Sequence, residues 1–247
     1  MSPPLGRRVA AEAVGTALLV AVVVGSGIQA TVLSDDVGVQ LLANSLATVL
    51  GLGVLITLLG PVSGGHFNPA VTLAVWFTGR RTPHGLSLRD VAVYVPAQIA
   101  GALGGAVLAD AMFARPLASF STRERFAGHL WLGEVVATAG LILLVLGLGR
   151  IGRSALAPAA VAAYIGAAYW FTSSTSFANP AATVGRAVTD SFAGIAPSSV
   201  APFIAAQLLG AAVGLGVVAV VHGPDTAPAR RDIGAPRRED DLEPASS

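Results

Sequence analysis

Two copies of the tripeptide Asn-Pro-Ala constrain the fold of this chain more than any other feature. They lie at residues 68–70 and 179–181, each in a gap rich in Gly, Ser and Thr between long apolar runs. Asn is a favourable N-cap, and Pro is tolerated at the first helical position because no helical partner exists there for its missing N–H. The apolar segments that follow, 69–78 and 180–188, are too short to cross a bilayer. The sequence therefore predicts two half-helices that begin inside a membrane protein.

Composition places the chain in a membrane. Of its 247 residues, 53% are hydrophobic and 12% are charged, whereas a soluble domain has about 25% charged residues. Six stretches are long and apolar enough to span a bilayer. These predicted spans are residues 9–33, 39–59, 91–113, 130–148, 155–171 and 200–221. We expect an all-α membrane protein with one transmembrane domain, residues 1–222, and a disordered cytoplasmic tail, residues 223–247, rich in Pro, Ala and mixed charge.

The placement of arginine predicts the orientation in the membrane. With the N-terminus inside, most arginines fall on the inner side, as the positive-inside rule requires. The inner set is Arg7, Arg8, Arg80, Arg81, Arg89, Arg150, Arg153, Arg230, Arg231, Arg237 and Arg238, and the outer set is Arg115, Arg123, Arg125 and Arg186. We therefore expect a multi-pass protein of the cell membrane with both termini in the cytoplasm. A formal net charge of +1 gives no reason to expect a nucleic-acid partner.

The chain consists of two related halves, residues 7–113 and 126–222. Three landmarks recur in the same order: a Glu in the first span of each half, the Asn-Pro-Ala tripeptide, and a Gln followed by two glycines four residues apart. The Glu and Gln landmarks are Glu12 and Gln98 in the first half and Glu134 and Gln207 in the second. Each half has three crossings, so the halves must insert with opposite topology and their half-helices meet near the midplane. The glycine pairs predict close packing of helices.

Residues 63–72 read Ser-Gly-Gly-His-Phe-Asn-Pro-Ala-Val-Thr and resemble the first signature loop of the aquaporin and glycerol-facilitator (major intrinsic protein) family. The second Asn-Pro-Ala, the helix count and the two Glu positions agree over about residues 7–222. The resemblance implies six transmembrane helices and two re-entrant half-helices in an inverted repeat around a pore. It also implies a homotetramer in the lipid bilayer, with one pore per subunit, and passive conduction of water or small neutral solutes without a cofactor or metal.

The half-helices predict the chemistry of the pore. Each helix N-terminus carries about half a positive charge, and two that meet at the midplane would repel cations and protons. We interpret Asn68 and Asn179 as pore-lining donors that also cap their helices, and the alternative is capping alone.

The expected pore residues come from both tripeptides and from the loops before them. The tripeptides contribute all of their residues, which are Asn68, Pro69, Ala70, Asn179, Pro180 and Ala181. Loop carbonyls expected to face the pore are those of Gly64, Gly65, His66, Ser174, Thr175 and Ser176. We interpret His66 as structural rather than titrating.

The carboxylates of Glu12 and Glu134 lie deep in the spans, where an unpaired charge costs several kcal/mol. We expect each to accept hydrogen bonds from backbone N–H groups of a re-entrant loop, and the alternative is a proton relay. Gln98 and Gln207 are expected to bind the loop backbone or a neighbouring helix.

The chain departs from the family at the outer filter. Most members have Arg directly after the second Asn-Pro-Ala, whereas this chain has Ala182. The expected filter partners are Thr48, Ser176 and Ala167, and a slip of one residue in the fifth span would replace Ala167 with Gly166. This set is small and uncharged. It predicts a wide filter that passes glycerol, urea or neutral metalloid hydroxides such as arsenite.

Arg186 lies seven residues after Asn179, and two helical turns return it to nearly the same face. It therefore has a possible place at the outer mouth of the pore. We favour the alternative, in which it reaches the membrane interface or pairs with Asp190, four residues further on. The nearby aromatic residues are interpreted mainly as packing or interfacial anchors, and the alternative for Phe177 is that it lines the widened vestibule. They are Phe67, Tyr169, Trp170, Phe171 and Phe177.

Two other classes of protein compete with a channel. An ion-coupled secondary transporter also has inverted repeats and broken helices, but it needs intramembrane ionisable groups that bind its ion. Here only the two buried Glu residues offer such groups, and both are expected to be structural. An enzyme is not expected, because the spans contain no Ser/His, paired-Asp or Cys constellation.

Overall fold

The computed structural model describes residues 3–82 and 85–223, and every regular element within them is helical. The helices are α1 (Leu5–Leu33), α2 (Val37–Ser63), α3 (Pro69–Gly79), α4 (Leu88–Met112), α5 (Gly128–Arg150), α6 (Ala157–Phe171), α7 (Pro180–Arg186) and α8 (Pro197–His222). A short 3₁₀ turn, Ser154–Leu156, precedes α6. The predicted disordered tail lies outside the described residues except for Gly223.

Six of the described helices are long and apolar enough to cross a membrane, and these are α1, α2, α4, α5, α8 and α6 with its preceding turn. The remaining two, α3 and α7, are the half-helices. Pro69 and Pro180 occupy their first positions, and the side chains of Asn68 and Asn179 accept hydrogen bonds from the first free backbone N–H groups. The predicted all-α arrangement of six spans and two half-helices is therefore confirmed.

Glycine brings the long helices of each half into backbone contact. A Cβ atom on Gly105 would overlap the carbonyl oxygen of Ala17, so α4 lies directly against α1. In the second half, a Cβ atom on Gly214 would lie 2.6 Å from the carbonyl oxygen of Ala139, so α8 also lies directly against α5. Larger side chains would separate these helices and move the residues that they carry.

The two re-entrant loops share one unusual backbone conformation. Three residues in each loop have φ between 47° and 99°, a region that L-residues with a side chain rarely adopt. The matching pairs are Gly64 and Thr175, Gly65 and Ser176, and Phe67 and Ala178. Because the second loop adopts this shape without glycine, external contacts must stabilise it.

We predict that Gly105→Ala lowers stability, because the added methyl group has no space against α1. An overpacked core typically loses about 1–3 kcal/mol. The measurement is the midpoint of thermal unfolding of the purified protein in detergent. Gly104→Ala is the matched control, since a Cβ atom there meets nothing within 4 Å. Equal midpoints for the two variants would contradict the packing argument.

Candidate functional site

The two half-helices are joined end to end by their capping asparagines. The Nδ2 atom of Asn68 donates to the carbonyl oxygen of Ala178 at 2.7 Å, and Nδ2 of Asn179 donates to that of Phe67 at 2.8 Å. Each Oδ1 atom caps its own helix. An amide nitrogen has two hydrogens, so one hydrogen of each Asn remains for the cavity that both residues line.

The first loop is held by the fully buried carboxylate of Glu12. Its oxygens accept hydrogen bonds from the backbone N–H groups of His66 at 3.0 Å and Phe67 at 2.7 Å. The Ser63 hydroxyl and the Gln98 amide donate to the same carboxylate at 2.6 and 2.7 Å. These are the contacts of a group that braces a loop.

The second loop is held in the same way by Glu134, which is also fully buried. Its carboxylate accepts from the backbone N–H groups of Phe177 and Ala178, each at 2.8 Å. The Gln207 amide donates to Glu134 at 2.7 Å and to the hydroxyl of Thr183 at 2.8 Å. The hydrogen bonds of the two loops therefore follow the internal repeat.

A cavity of about 160 Å³ runs between the helices and past both capping asparagines. Much of its wall is aliphatic, and residues of the two loops line another part of it. The aliphatic residues are Leu19, Val23, Leu52, Ile56, Val71, Val75, Leu141, Val145, Ala157, Val161 and Ile165. The loop residues are Gly64, Gly65, His66, Asn68, Ser176, Phe177, Ala178 and Asn179.

Only the Asn of each tripeptide lines the cavity, although the sequence predicted that all three residues would. The prediction is wrong for the other four, which are Pro69, Ala70, Pro180 and Ala181. Ala70 and Ala181 are fully buried in the hydrophobic core, and their backbone N–H groups donate to the capping Asn oxygens at 2.9 and 3.0 Å. Successive helical residues are rotated by about 100°, so the first two positions turn away from the cavity and the third returns to it.

In the second loop, the residues that line the cavity differ from the predicted ones. Ser174 and Thr175 are not among the residues that line the cavity, and the Ser174 carbonyl accepts a hydrogen bond from Arg125 at 3.3 Å. Phe177 and Ala178 take their place beside Ser176. The bracing by Glu134 turns the later residues of the loop toward the cavity.

The tautomer of His66, which lines the cavity, follows from its contact with Thr72. The Thr72 hydroxyl donates to the carbonyl oxygen of Asn68 at 3.0 Å, which uses its only hydrogen. The Nδ1 atom of His66 lies 3.1 Å from the same hydroxyl oxygen and must be the donor in that contact. In the neutral ring, Nε2 is then an unprotonated acceptor.

The structure corrects the filter position on α6. Ala167 is exposed on the outside of the helix bundle, and a Cβ atom on the alternative, Gly166, would overlap the side chain of Val49. Ile165 and Tyr169, four residues apart on one helical face, line the cavity instead. Thr48, Ser176 and Ala182 do line it, as expected.

Tyr169 bonds across the cavity wall to α2. The Thr48 hydroxyl donates to the carbonyl oxygen of Asn44 at 2.8 Å, so Tyr169 must donate in its 3.1 Å contact with Thr48. The remaining lone pair of the phenol oxygen is an acceptor. Tyr169 packs in the hydrophobic core, as the interpretation of the aromatic group allowed, and it also lines the cavity.

The position of Arg186 also differs from the one that we favoured, which was the membrane interface or a pair with Asp190. Its side chain is 4% exposed and lines the cavity. Its Nε atom donates to the carbonyl oxygen of Ala193, and its guanidinium carbon lies 3.3 Å from the centre of the Phe177 ring. Asp190 accepts hydrogen bonds from Thr122 instead. The predicted pairing with Asp190 is therefore wrong.

The internal repeat explains the position of Arg186. Ala182 and Arg186 occupy the same places in α7 as Val71 and Val75 in α3, and all four residues line the cavity. Arg186 lies one helical turn, about 6 Å, beyond Ala182. A positive charge is therefore displaced along the cavity, and the expected uncharged filter of four small residues is not what the structure shows.

A second arginine increases the positive charge near the filter. Arg125, in the loop between α4 and α5, places its guanidinium carbon 4.8 Å from the centre of the Phe177 ring. Burial, together with the nearby charges of Arg186 and Arg123, lowers the pKa of Arg125 to about 9. Arg125 is still protonated at neutral pH.

The helices, the paired half-helices and the cavity between them define a membrane channel built from two inverted halves. The profile of the major intrinsic protein family matches residues 1–176, and the chain belongs to this family.

Individual relatives cover most of the chain. It is 49% identical over 214 residues to aquaglyceroporin AqpS of Rhizobium meliloti (strain 1021), covering 87% of this chain and 89% of the relative. It is 29% identical over 259 residues to the glycerol uptake facilitator protein of Pseudomonas aeruginosa, with 87% and 88% covered. The X-ray structure of the aquaglyceroporin from Plasmodium falciparum superposes with a TM-score of 0.62 at 20% identity, covering 88% of this chain and 97% of that one, and it shows the shared fold.

We predict that Glu134→Ala abolishes solute flux and destabilises the protein by roughly 3 kcal/mol or more, because three buried donors lose a charged acceptor. Flux in proteoliposomes and the unfolding midpoint in detergent are the measurements. Glu124→Ala is the control, since Glu124 is exposed. A stable Glu134→Ala channel with normal flux would show that the loop needs no brace.

We predict that a single engineered thiol reports which wall faces the solute. The chain has no Cys, so the unmodified protein should resist mercuric chloride, which reacts with thiolates. Ala182→Cys should become sensitive to reversible block, because residue 182 lines the cavity. Ala167→Cys should remain resistant, because residue 167 faces outward. Block of Ala167→Cys but not Ala182→Cys in a stopped-flow assay would reverse the assignment of the wall.

Proposed function

We propose that this chain is a passive channel for water and for uncharged solutes larger than water, such as glycerol, urea or neutral metalloid hydroxides including arsenite. The observation that carries the proposal is Ala182, which follows the second Asn-Pro-Ala where most family members have Arg. The small side chain widens the cavity at that level. The nearest arginine, Arg186, lies one turn further along α7.

The groups around the filter suit a polyol or an amide. Arg186 has N–H donors directed into the cavity, whereas Tyr169 and the loop carbonyls offer acceptors. The opposite wall is aliphatic and contacts the carbon atoms of a solute without competing for hydrogen bonds. The names of the relatives, an aquaglyceroporin and a glycerol uptake facilitator, support the same solute class.

Charge supports the exclusion of cations. The N-termini of α3 and α7 meet at the centre of the cavity, and each carries about half a positive charge. Arg186 adds a full positive charge, and no Asp or Glu is among the residues that line the described cavity. We therefore propose that protons and metal cations do not pass.

Orientation, domain extent and assembly are part of the proposal. The arginine distribution supports cytoplasmic termini, which would place the Arg186 end of the cavity on the outer side. We propose that residues 1–222 act as one channel domain and that four copies assemble as a homotetramer, as the family resemblance implies.

An ion-coupled transporter is less well supported. Glu12 and Glu134 accept hydrogen bonds from the loops that they brace, and neither lines the cavity. A channel gives solute flux that rises linearly with concentration and does not respond to a proton or sodium gradient. Saturable flux that follows such a gradient would support the transporter instead.

We predict that moving the arginine changes the selectivity. In the double variant Ala182→Arg/Arg186→Ala, the guanidinium returns to the position usual in the family and narrows the channel. Glycerol and urea flux should fall at least roughly tenfold, a barrier increase of about 1.4 kcal/mol, whereas water flux should remain. Stopped-flow light scattering of proteoliposomes measures all three fluxes.

Arg89→Ala is the matched control, since Arg89 is exposed and lies outside the cavity. An unmodified protein that conducts water but neither glycerol nor urea would refute the wide filter. Unchanged selectivity in the double variant would show that neither position sets it.

A further inference from the structure

The guanidinium of Arg186 has donors that the protein does not use. Among the residues that the structure describes, its hydrogen bonding is limited to Nε, which donates to Ala193, while the plane of the group covers Phe177. The two terminal nitrogens, Nη1 and Nη2, carry four more N–H donors. Neither nitrogen is among the fully buried side-chain atoms that lack a hydrogen-bond partner. Their N–H groups are therefore accessible from the cavity that the residue lines.

Arg186 also has no ion-pair partner among the residues that the structure describes. The ion pairs within residues 3–82 and 85–223 join Arg8 to Asp90 and Arg115 to Asp110, so neither involves Arg186. Glu134 is near enough to act on Arg186 electrostatically, but its oxygens accept hydrogen bonds from the second loop and from Gln207.

The groups that surround Arg186 increase this positive charge. Arg125 stacks near the same Phe177 ring, and Arg123 also acts electrostatically on Arg186. A nearly buried guanidinium without a carboxylate partner favours an anion as its ligand.

We propose that the Arg186 end of the cavity is a binding site for a small monovalent oxyanion, and that a carboxylate is its basic ligand. A carboxylate matches the planar fork of a guanidinium with two parallel hydrogen bonds. Formate is the smallest such ion and is the probe that we choose. The site lies in the same cavity as the proposed solute path. Binding of the anion does not depend on the proposed function, whereas its effect on solute flux rests on that proposal.

The bound ion acts as a plug rather than as a transported solute. Beyond the central asparagines the cavity wall is formed by side chains such as Ile56, Val75 and Val161. These offer no donors, and a dehydrated anion there would lose its hydrogen bonds without replacement. The ion therefore stays at Arg186 and competes with neutral solutes for the filter.

Saturation-transfer NMR of formate with the purified full-length protein tests the site without any measurement of flux. Chloride keeps the ionic strength constant. The unmodified protein should show saturable transfer to the formate proton, and Arg186→Gln should weaken binding at least about tenfold because a charged bidentate donor is lost. Arg186→Lys should bind with intermediate affinity, because it keeps the charge without the fork.

Arg89→Gln is the control for a loss of charge outside the cavity and should bind formate normally. Arg125→Gln should weaken formate binding several-fold, because the positive electrostatic potential that Arg125 adds near Arg186 is lost. Gel filtration confirms that each variant remains assembled. Equal transfer in the unmodified protein and Arg186→Gln, or none in the unmodified protein, overturns the site.

The flux experiment tests the plug separately. Proteoliposomes contain equal formate on both sides, and glycerol efflux should fall saturably in the unmodified protein but not in Arg186→Gln. Binding by NMR without inhibition would overturn the plug and leave the site. If the unmodified protein passes no glycerol, the proposed function fails, whereas the NMR result still decides the anion site.

Discussion

The rest of this structure depends on two buried carboxylates that hold irregular backbone in the middle of a membrane protein. Glu12 and Glu134 each bind two consecutive loop N–H groups, and a glutamine from a neighbouring helix completes each set. A membrane interior offers no water to satisfy such groups, so a loop there must find its partners in protein. With the loops held, the left-handed residues before each half-helix keep their shape, and residues of both loops line the cavity.

The long helices bring these carboxylates to the loops. Gly105 and Gly214 allow α4 and α8 to touch the backbones of α1 and α5, the helices that carry Glu12 and Glu134. The glutamines lie on the same α4 and α8, so one packing contact aligns a carboxylate and its partner. The two capping asparagines then join the half-helices through opposite carbonyl oxygens. Local capping, helix packing and loop geometry therefore support one another in both halves of the inverted repeat.

The filter shows how little local sequence says about which face of an apolar helix lines a cavity. α6 is rich in alanine and has no polar face, so its sequence offers no signal for its rotation. Counting from the motifs therefore selected Ala167, and the structure places Tyr169 in the wall instead. For Arg186 the helical period did predict the correct face. The helical period does not show the tertiary contacts with Ala193 and Phe177, which hold the guanidinium in the cavity.

The amino-acid sequence by itself determined the six spans and the two half-helices, because hydrophobic length and N-capping depend on neighbouring residues. It also determined the inverted repeat and the bracing residues, because the same landmarks recur in the same order in both halves. Only the tertiary structure decided which side chains meet at the filter. Thr48, Tyr169, Phe177 and Arg186 lie on α2, α6, the second loop and α7. Their meeting depends on the rotation and depth of packed helices. The displaced arginine is therefore a property of the assembled cavity, although the missing one beside Asn-Pro-Ala is visible in the sequence.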